Sequence, residues 1–235
     1  MVENRERYRK GHLNSRPGNK PLTSNTSTGL QQLHLNQEKE CLLYVPKQYD
    51  SGRPAALALM LHGAGGNAAH GLSYIQQYAD DNNMILLSPA SHDYSWDIIA
   101  ANSFGIDVLF MDHALSYVFN HFNIDHQRIA IGGFSDGASY ALCIGLTNGD
   151  LFTHILAFSP GFQYTYENKG KPAVFISHGV NDDVLPIDPC SRRIVPKLQG
   201  SGYNVLYKEF NGRHEIPAAI SQAALDWYLD KKLAV

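Results

Sequence analysis

The feature that most constrains this chain is the run Ala55-Ala56-Leu57-Ala58-Leu59-Met60-Leu61, in which no polar residue interrupts the apolar series. A strand with one wet face alternates apolar and polar residues, so a strand built from this run must be covered on both faces. It is also far shorter than the roughly 20 residues that a membrane span requires. Strand-like runs recur at 41–46, 84–88, 128–133, 155–159, 173–177 and 204–210. Between them, apolar residues take helical spacing over 67–82, 103–121, 137–147, 190–199 and 216–231. Strands alternating with helices predict an α/β fold, a mostly parallel central sheet with helices on both faces. Ligands on such sheets bind beyond the carboxyl ends of the strands, so the loops that follow strands are where chemistry is expected.

Residues 1–36 are polar, rich in Asn, Ser, Thr, Arg and Gly, and show neither period; they read as an extended or disordered arm, with 37–235 as one catalytic domain. A net charge of -3 gives no electrostatic reason to expect a nucleic-acid partner. The amino terminus is charged and lacks the apolar core of a secretory signal. Cys41, Cys143 and Cys190 cannot all pair within one chain and have no CxxC spacing, which fits free thiols in a reducing compartment. A cytoplasmic protein is therefore expected. There is no HExxH and no Cys–His cluster, so no metal is expected. The glycine-rich stretch at 62–67 lacks the GK[ST] ending of a nucleotide-binding loop, and no cofactor is implied.

Gly133-Phe134-Ser135-Asp136-Gly137 places G-x-S-x-G between a predicted strand and a predicted helix. In that context the serine sits on a sharp turn that holds its hydroxyl above the sheet, beside a helix amino terminus that favours developing negative charge. A serine hydroxyl needs a base, and in sites of this kind the acid and then the histidine follow the serine along the chain. Of the 11 histidines only His154, His178 and His214 lie after Ser135. His154 opens a strand and His178 ends one ahead of the candidate acids, which leaves His214, between the last strand and the last helix. The orienting acid should follow the penultimate strand, where Asp182 and Asp183 stand side by side; the residues alone leave that choice open. Leu61-His62-Gly63-Ala64-Gly65-Gly66-Asn67 follows an early buried strand, and the N–H groups of Ala64 and Asp136 are the expected oxyanion donors. His62 reads as a structural hydrogen-bonding group.

With these segments in place the chain resembles the α/β-hydrolase superfamily, and within it the phospholipase/carboxylesterase-like esterases. The resemblance runs from about residue 42 to the carboxyl terminus and rests on LHGAGGN at 61–67, GGFSDGAS at 132–139, FSPGF at 158–162, HGVNDDVLP at 178–186 and GRHEIP at 212–217. It implies that the acid is Asp182, at the fifth position of HG-x-x-D-x-V-x-P. Residues 94–97 (YSWD) look like an aromatic loop on the substrate side, which makes Trp96 a candidate to line the acyl pocket; packing in the core or rim is the alternative. Secreted depolymerases and feruloyl esterases are similar around HGAGGN, and the lack of a recognisable signal separates this chain from a secreted depolymerase. The stretch between Ser159 and Lys171 is too short for lid helices, so no cap or lid domain is expected. The reading is a serine hydrolase for small-molecule carboxylic esters, with short acyl chains suited to an open site. A thioesterase with the same triad and a non-catalytic binding protein of the same fold are the competing readings.

Overall fold

The computed structural model describes residues 6–18, 21, 27–35 and 39–229. Eight strands, β1 (Gly29–Gln32), β2 (Cys41–Val45), β3 (Ala55–Leu61), β4 (Met84–Pro89), β5 (Ile124–Phe134), β6 (His154–Phe158), β7 (Ala173–Gly179) and β8 (Val205–Phe210), form one sheet. Its order is β1-β2-β4-β3-β5-β6-β7-β8. The pairs β1–β2 and β2–β4 are antiparallel, and every pair from β4 through β8 is parallel. The helices are α1 (Ala68–Ser73), α2 (Asp97–Ala100), α3 (Ile106–His121), α4 (Asp136–Thr147), α5 (Ser191–Gly200) and α6 (Ala218–Tyr228).

The apolar run that opened the sequence reading is β3, buried along its whole length. Its side chains divide between two cores, as the pleat requires. Leu57, Leu59 and Leu61 pack with residues of α3, α4 and α5 on one face. Ala56, Ala58 and Met60 pack with residues of α1 and α6 on the other. This is the expected α/β-hydrolase layering, with helices on both faces. Residues 160–169, between β6 and β7, form no helix or strand, so no cap covers the sheet at that point.

Three local differences from the sequence reading have physical causes. The helix expected over 67–82 is short: Asn67 caps it by accepting the His70 N–H, and it ends before Ile75, whose backbone (φ -142°) is not helical and whose side chain is fully buried. Two 3-10 turns at Gln76–Tyr78 and Asp80–Asn82 complete the segment. The short α2 was not foreseen. β1 lies where no strand period is visible, because its residues alternate only between half-buried and exposed and Leu30 points outward.

Residues 6–18 lie against the domain. Leu13 is fully buried, its N–H donates to the Asn148 side-chain oxygen at 2.8 Å, and Asn148 donates back to the Gly11 carbonyl. Asp112 of α3 accepts from the Tyr8 hydroxyl and from the Asn14 and Ser15 N–H groups at 2.7–2.9 Å. Residues 1–5, 19–20, 22–26 and 36 of the amino-terminal arm, and residues 230–231 at the expected end of the closing helix, fall outside the described residues.

A single carboxylate thus satisfies two backbone N–H groups and a hydroxyl of this strap. Asp112→Ala should cost about 2 kcal/mol of stability in urea unfolding and speed protease cleavage within residues 6–18. Unchanged values for both would show that the strap is held by Leu13 and Asn148 instead.

Candidate active site

Ser135 occupies the turn between β5 and α4 with φ 57° and ψ -121°, a region that non-glycine residues rarely enter. The strain is held by the surrounding backbone. The Ser135 N–H donates to the Phe158 carbonyl of β6, and its carbonyl accepts from Ala138 and Ser139 at 3.0 Å. The flanking glycines are required by close approach to the end of β3. A Cβ on Gly133 would lie 2.5 Å from the Leu61 carbonyl oxygen, and one on Gly137 would lie 2.2 Å from it.

The loop after β3 reaches the same turn. A Cβ built on Gly63 would be 3.4 Å from the Ser135 Cβ, so the chain entering Ala64 runs directly beside the serine. Gly66 closes a turn onto the Gly63 carbonyl, and the Gly65 N–H donates to the Tyr94 carbonyl at 2.7 Å. His62 is fully buried: its Nε2 accepts from the Ser91 N–H, which leaves Nδ1 to donate to the Gly63 carbonyl at 2.7 Å. Burial lowers its pKa, so it serves as a neutral brace, as the sequence suggested. Asp136 opens α4, where helix N–H groups have no acceptor within the helix. Its carboxylate accepts from the Ser95 hydroxyl at 2.6 Å, tying the Ser135 turn to the 91–97 loop.

Trp96 requires a correction. Its ring is 0% exposed, stacks on Tyr140 at 5.1 Å and donates from Nε1 to the His62 carbonyl, so it has no surface to offer an acyl group. It supports the Ala64 loop from behind. The exposed aromatic of that segment is Tyr94, 71% accessible and lying over Gly65. The sequence signal, an indole in a polar loop, could not tell which way the ring turns.

At the other side of Ser135, the loop between β8 and α6 brings the His214 ring to 4.5 Å from that of Phe134. His214 Nδ1 lies 2.6 Å from Asp182 Oδ2. Of the two neighbouring aspartates, Asp182 is buried and faces the imidazole, while Asp183 pairs with Arg213 at the surface. Burial alone would raise the Asp182 pKa; the bonds from His214 and from the Leu185 and Val184 N–H groups outweigh it and hold the carboxyl below its usual range. One residue here escaped the sequence reading. His178, fully buried at the end of β7, places Nε2 3.2 Å from the same Asp182 oxygen, and the only signal for it is its position just ahead of the acid.

A second unforeseen group anchors residues 92–107. Asp107 accepts from His92 and from the Asp97 N–H, while Asp97 accepts from Gly105, Asp107 and the Tyr140 hydroxyl. Burial, reinforced by the Asp107 charge, pushes Asp97 up to about 6 despite these bonds. Among the described residues, no group of three or more His, Cys, Asp or Glu is arranged to hold a metal, and no helix is long and apolar enough to cross a membrane. A cavity of about 570 Å³, lined by Asp50, Arg53, Asp80 and Arg128 among others, opens at the amino ends of the strands.

A family model described as "Putative esterase" matches residues 33–193, more than half of the chain. Feruloyl esterase C of Emericella nidulans is 26% identical over 73% of this chain and 63% of its own length. The chain thus spans less than two thirds of that relative. The crystal structure of a thermostable esterase superposes with a TM-score of 0.71 at 22% identity, covering 86% of this chain and 62% of that one. The carboxylesterase of Bacillus cereus gives 0.62 at 21% identity over 83% and 95%. These structures share the fold read from the motifs.

The raised Asp97 pKa has a definite sign in stability. A carboxyl that binds its proton more tightly when folded contributes stability fully below its unfolded value of 3.8, and that contribution is lost as pH rises through about 6. Wild type should therefore lose stability relative to Asp97→Asn across this window in paired urea titrations. A difference that stays constant with pH would mean that folding does not change how tightly the Asp97 carboxyl holds its proton.

Proposed function

This chain belongs to the "Putative esterase" family, and we propose that it hydrolyses carboxylic esters with Ser135 as nucleophile, His214 as base and acid, and Asp182 as the orienting carboxylate. The observation that carries the proposal is the 2.6 Å contact of Asp182 with His214 Nδ1, on a ring packed beside the strained turn that bears Ser135. With Nδ1 donating to Asp182, Nε2 is left free to take a proton. The serine oxygen attacks the acyl carbon as its proton passes to His214, the alcohol leaves with that proton, and water repeats the sequence on the acyl-enzyme. The carboxylate steadies the imidazolium formed in each step and remains ionised, in keeping with its lowered pKa. The N–H groups of Ala64 and Asp136 are the oxyanion donors in this reading.

The absence of helix or strand over 160–169 and the exposure of Tyr94 and Val184 describe an open, partly apolar rim, which suits short or aromatic acyl groups on soluble alcohols. The feruloyl esterase relative supports an ester of this kind. The thiols of Cys41, Cys143 and Cys190 are free and buried, consistent with a cytoplasmic setting.

Hydrolysis of nitrophenyl esters from acetate to palmitate tests the proposal. Activity should decline with acyl length, and Ser135→Ala and Asp182→Asn should each lose at least about 10³-fold in kcat. A folded but inert wild type would favour a thioesterase or a binding protein, and activity retained by Ser135→Ala would place the nucleophile elsewhere.

A further inference from the structure

We propose that His178 is a positioning residue for catalysis, donating from Nε2 to the Asp182 carboxylate and so setting how strongly that carboxylate draws on His214. The proposal rests on the triad reading above. Asp182 Oδ2 stands between two imidazoles, with His214 Nδ1 at 2.6 Å and His178 Nε2 at 3.2 Å. The second polar neighbour of His178 Nε2 is the Leu185 carbonyl at 2.8 Å. A carboxylate and a carbonyl can only accept, so Nε2 must carry the proton. The Ser191 hydroxyl, buried at the start of α5 and 2.6 Å from Nδ1, completes the arrangement by donating to the bare nitrogen. Burial lowers the pKa of His178, which keeps the ring neutral and the tautomer fixed.

The same ring organises the loop that carries the acid. Leu185 offers its carbonyl to His178 and its N–H to Asp182 Oδ1, while the Asp182 N–H returns to the Gly179 carbonyl. The loop from Gly179 to Leu185 is thereby wrapped around the imidazole. Gly179 packs so closely on the Arg213 carbonyl that a Cβ would lie 2.2 Å from it, which couples this loop to the residue next to His214.

Other ionisable groups around His178 are arranged on each neighbouring element. Glu209 is its register partner on β8 and is paired with Arg192 of α5 at 2.7 Å. Cys190, just before α5, is held protonated by burial. Asp183 and Arg213 form an exposed pair on the two flanking loops. Asp182 and His214 complete the set, and Asp182 brings Oδ2 to 3.2 Å from His178 Nε2.

Removing the Nε2–H donor concentrates the carboxylate charge on His214, which raises the pKa of that imidazole. The acid limb of the kcat/KM profile should then move to higher pH by about half a unit or more, with kcat lower by about tenfold. The experiment compares pH profiles for a nitrophenyl ester in wild type, His178→Ala, His178→Gln and Ser191→Ala. Glutamine places an N–H near the position of Nε2 and should restore the wild-type limb. Ser191→Ala, which frees the tautomer without emptying the site, should shift the limb in the same direction by less, and it keeps the test available if His178→Ala does not fold. A wild-type acid limb in both His178→Ala and Ser191→Ala, whatever their stability, would overturn the proposal. Asp182→Asn in parallel separates the two readings: full activity there would sink the triad itself, whereas loss of activity there with unmoved limbs in the other variants would sink only the role of His178.

Discussion

The contact on which the rest of the site depends is the seating of the Ser135 turn on the end of β3. Gly133 and Gly137 both meet the Leu61 carbonyl oxygen with no room for a Cβ. This close approach fixes how far Ser135 stands from the loop that begins at His62, because both leave the sheet at the same carbonyl. It also explains how an unfavourable backbone conformation persists. The Ser135 φ of 57° is held by β6 through Phe158, by the first turn of α4 and by β3 beneath it.

Three histidines follow the ends of strands and do different work because their surroundings differ. His62 and His178 are fully buried and neutral, with both ring nitrogens occupied. His62 shapes the loop at Ala64, and His178 contacts the acid. His214 keeps a partly exposed ring, with one nitrogen committed to Asp182. Burial separates the braces from the candidate base; the residue type does not.

The sheet was legible because strands covered on both faces are written as apolar runs, as in all of β3 and in residues 84–87 of β4, 155–158 of β6 and 173–176 of β7. The positions of Ser135, His214 and the two aspartates followed from strand ends, and the geometry brings Asp182 onto His214 Nδ1 and the His214 ring against Phe134, the residue before Ser135. What could not be read concerns direction. The orientation of the Trp96 ring depends on Tyr140 and His62, which come from other parts of the chain. The pairing of Asp183 with Arg213, and hence the turning of Asp182 inward, is set by two loops 30 residues apart. β1 was silent because an edge strand with little to bury needs no apolar pattern. The Asp97–Asp107 pair was silent because acidic residues in the first turn of a helix ordinarily read as solvated.

That edge strand bears on how the molecule behaves in company. All five residues of β2 are buried, and Gly29–Gln32 occupy the side of it not taken by β4. Without them, β2 would present open N–H and carbonyl groups on an apolar strand, a template for pairing with another chain. The short β1 transfers that edge to a strand of only four residues, alternating half-buried and exposed, and short length is one way an edge is blunted. Four inconspicuous residues near the amino terminus therefore close the open edge of a fully buried strand.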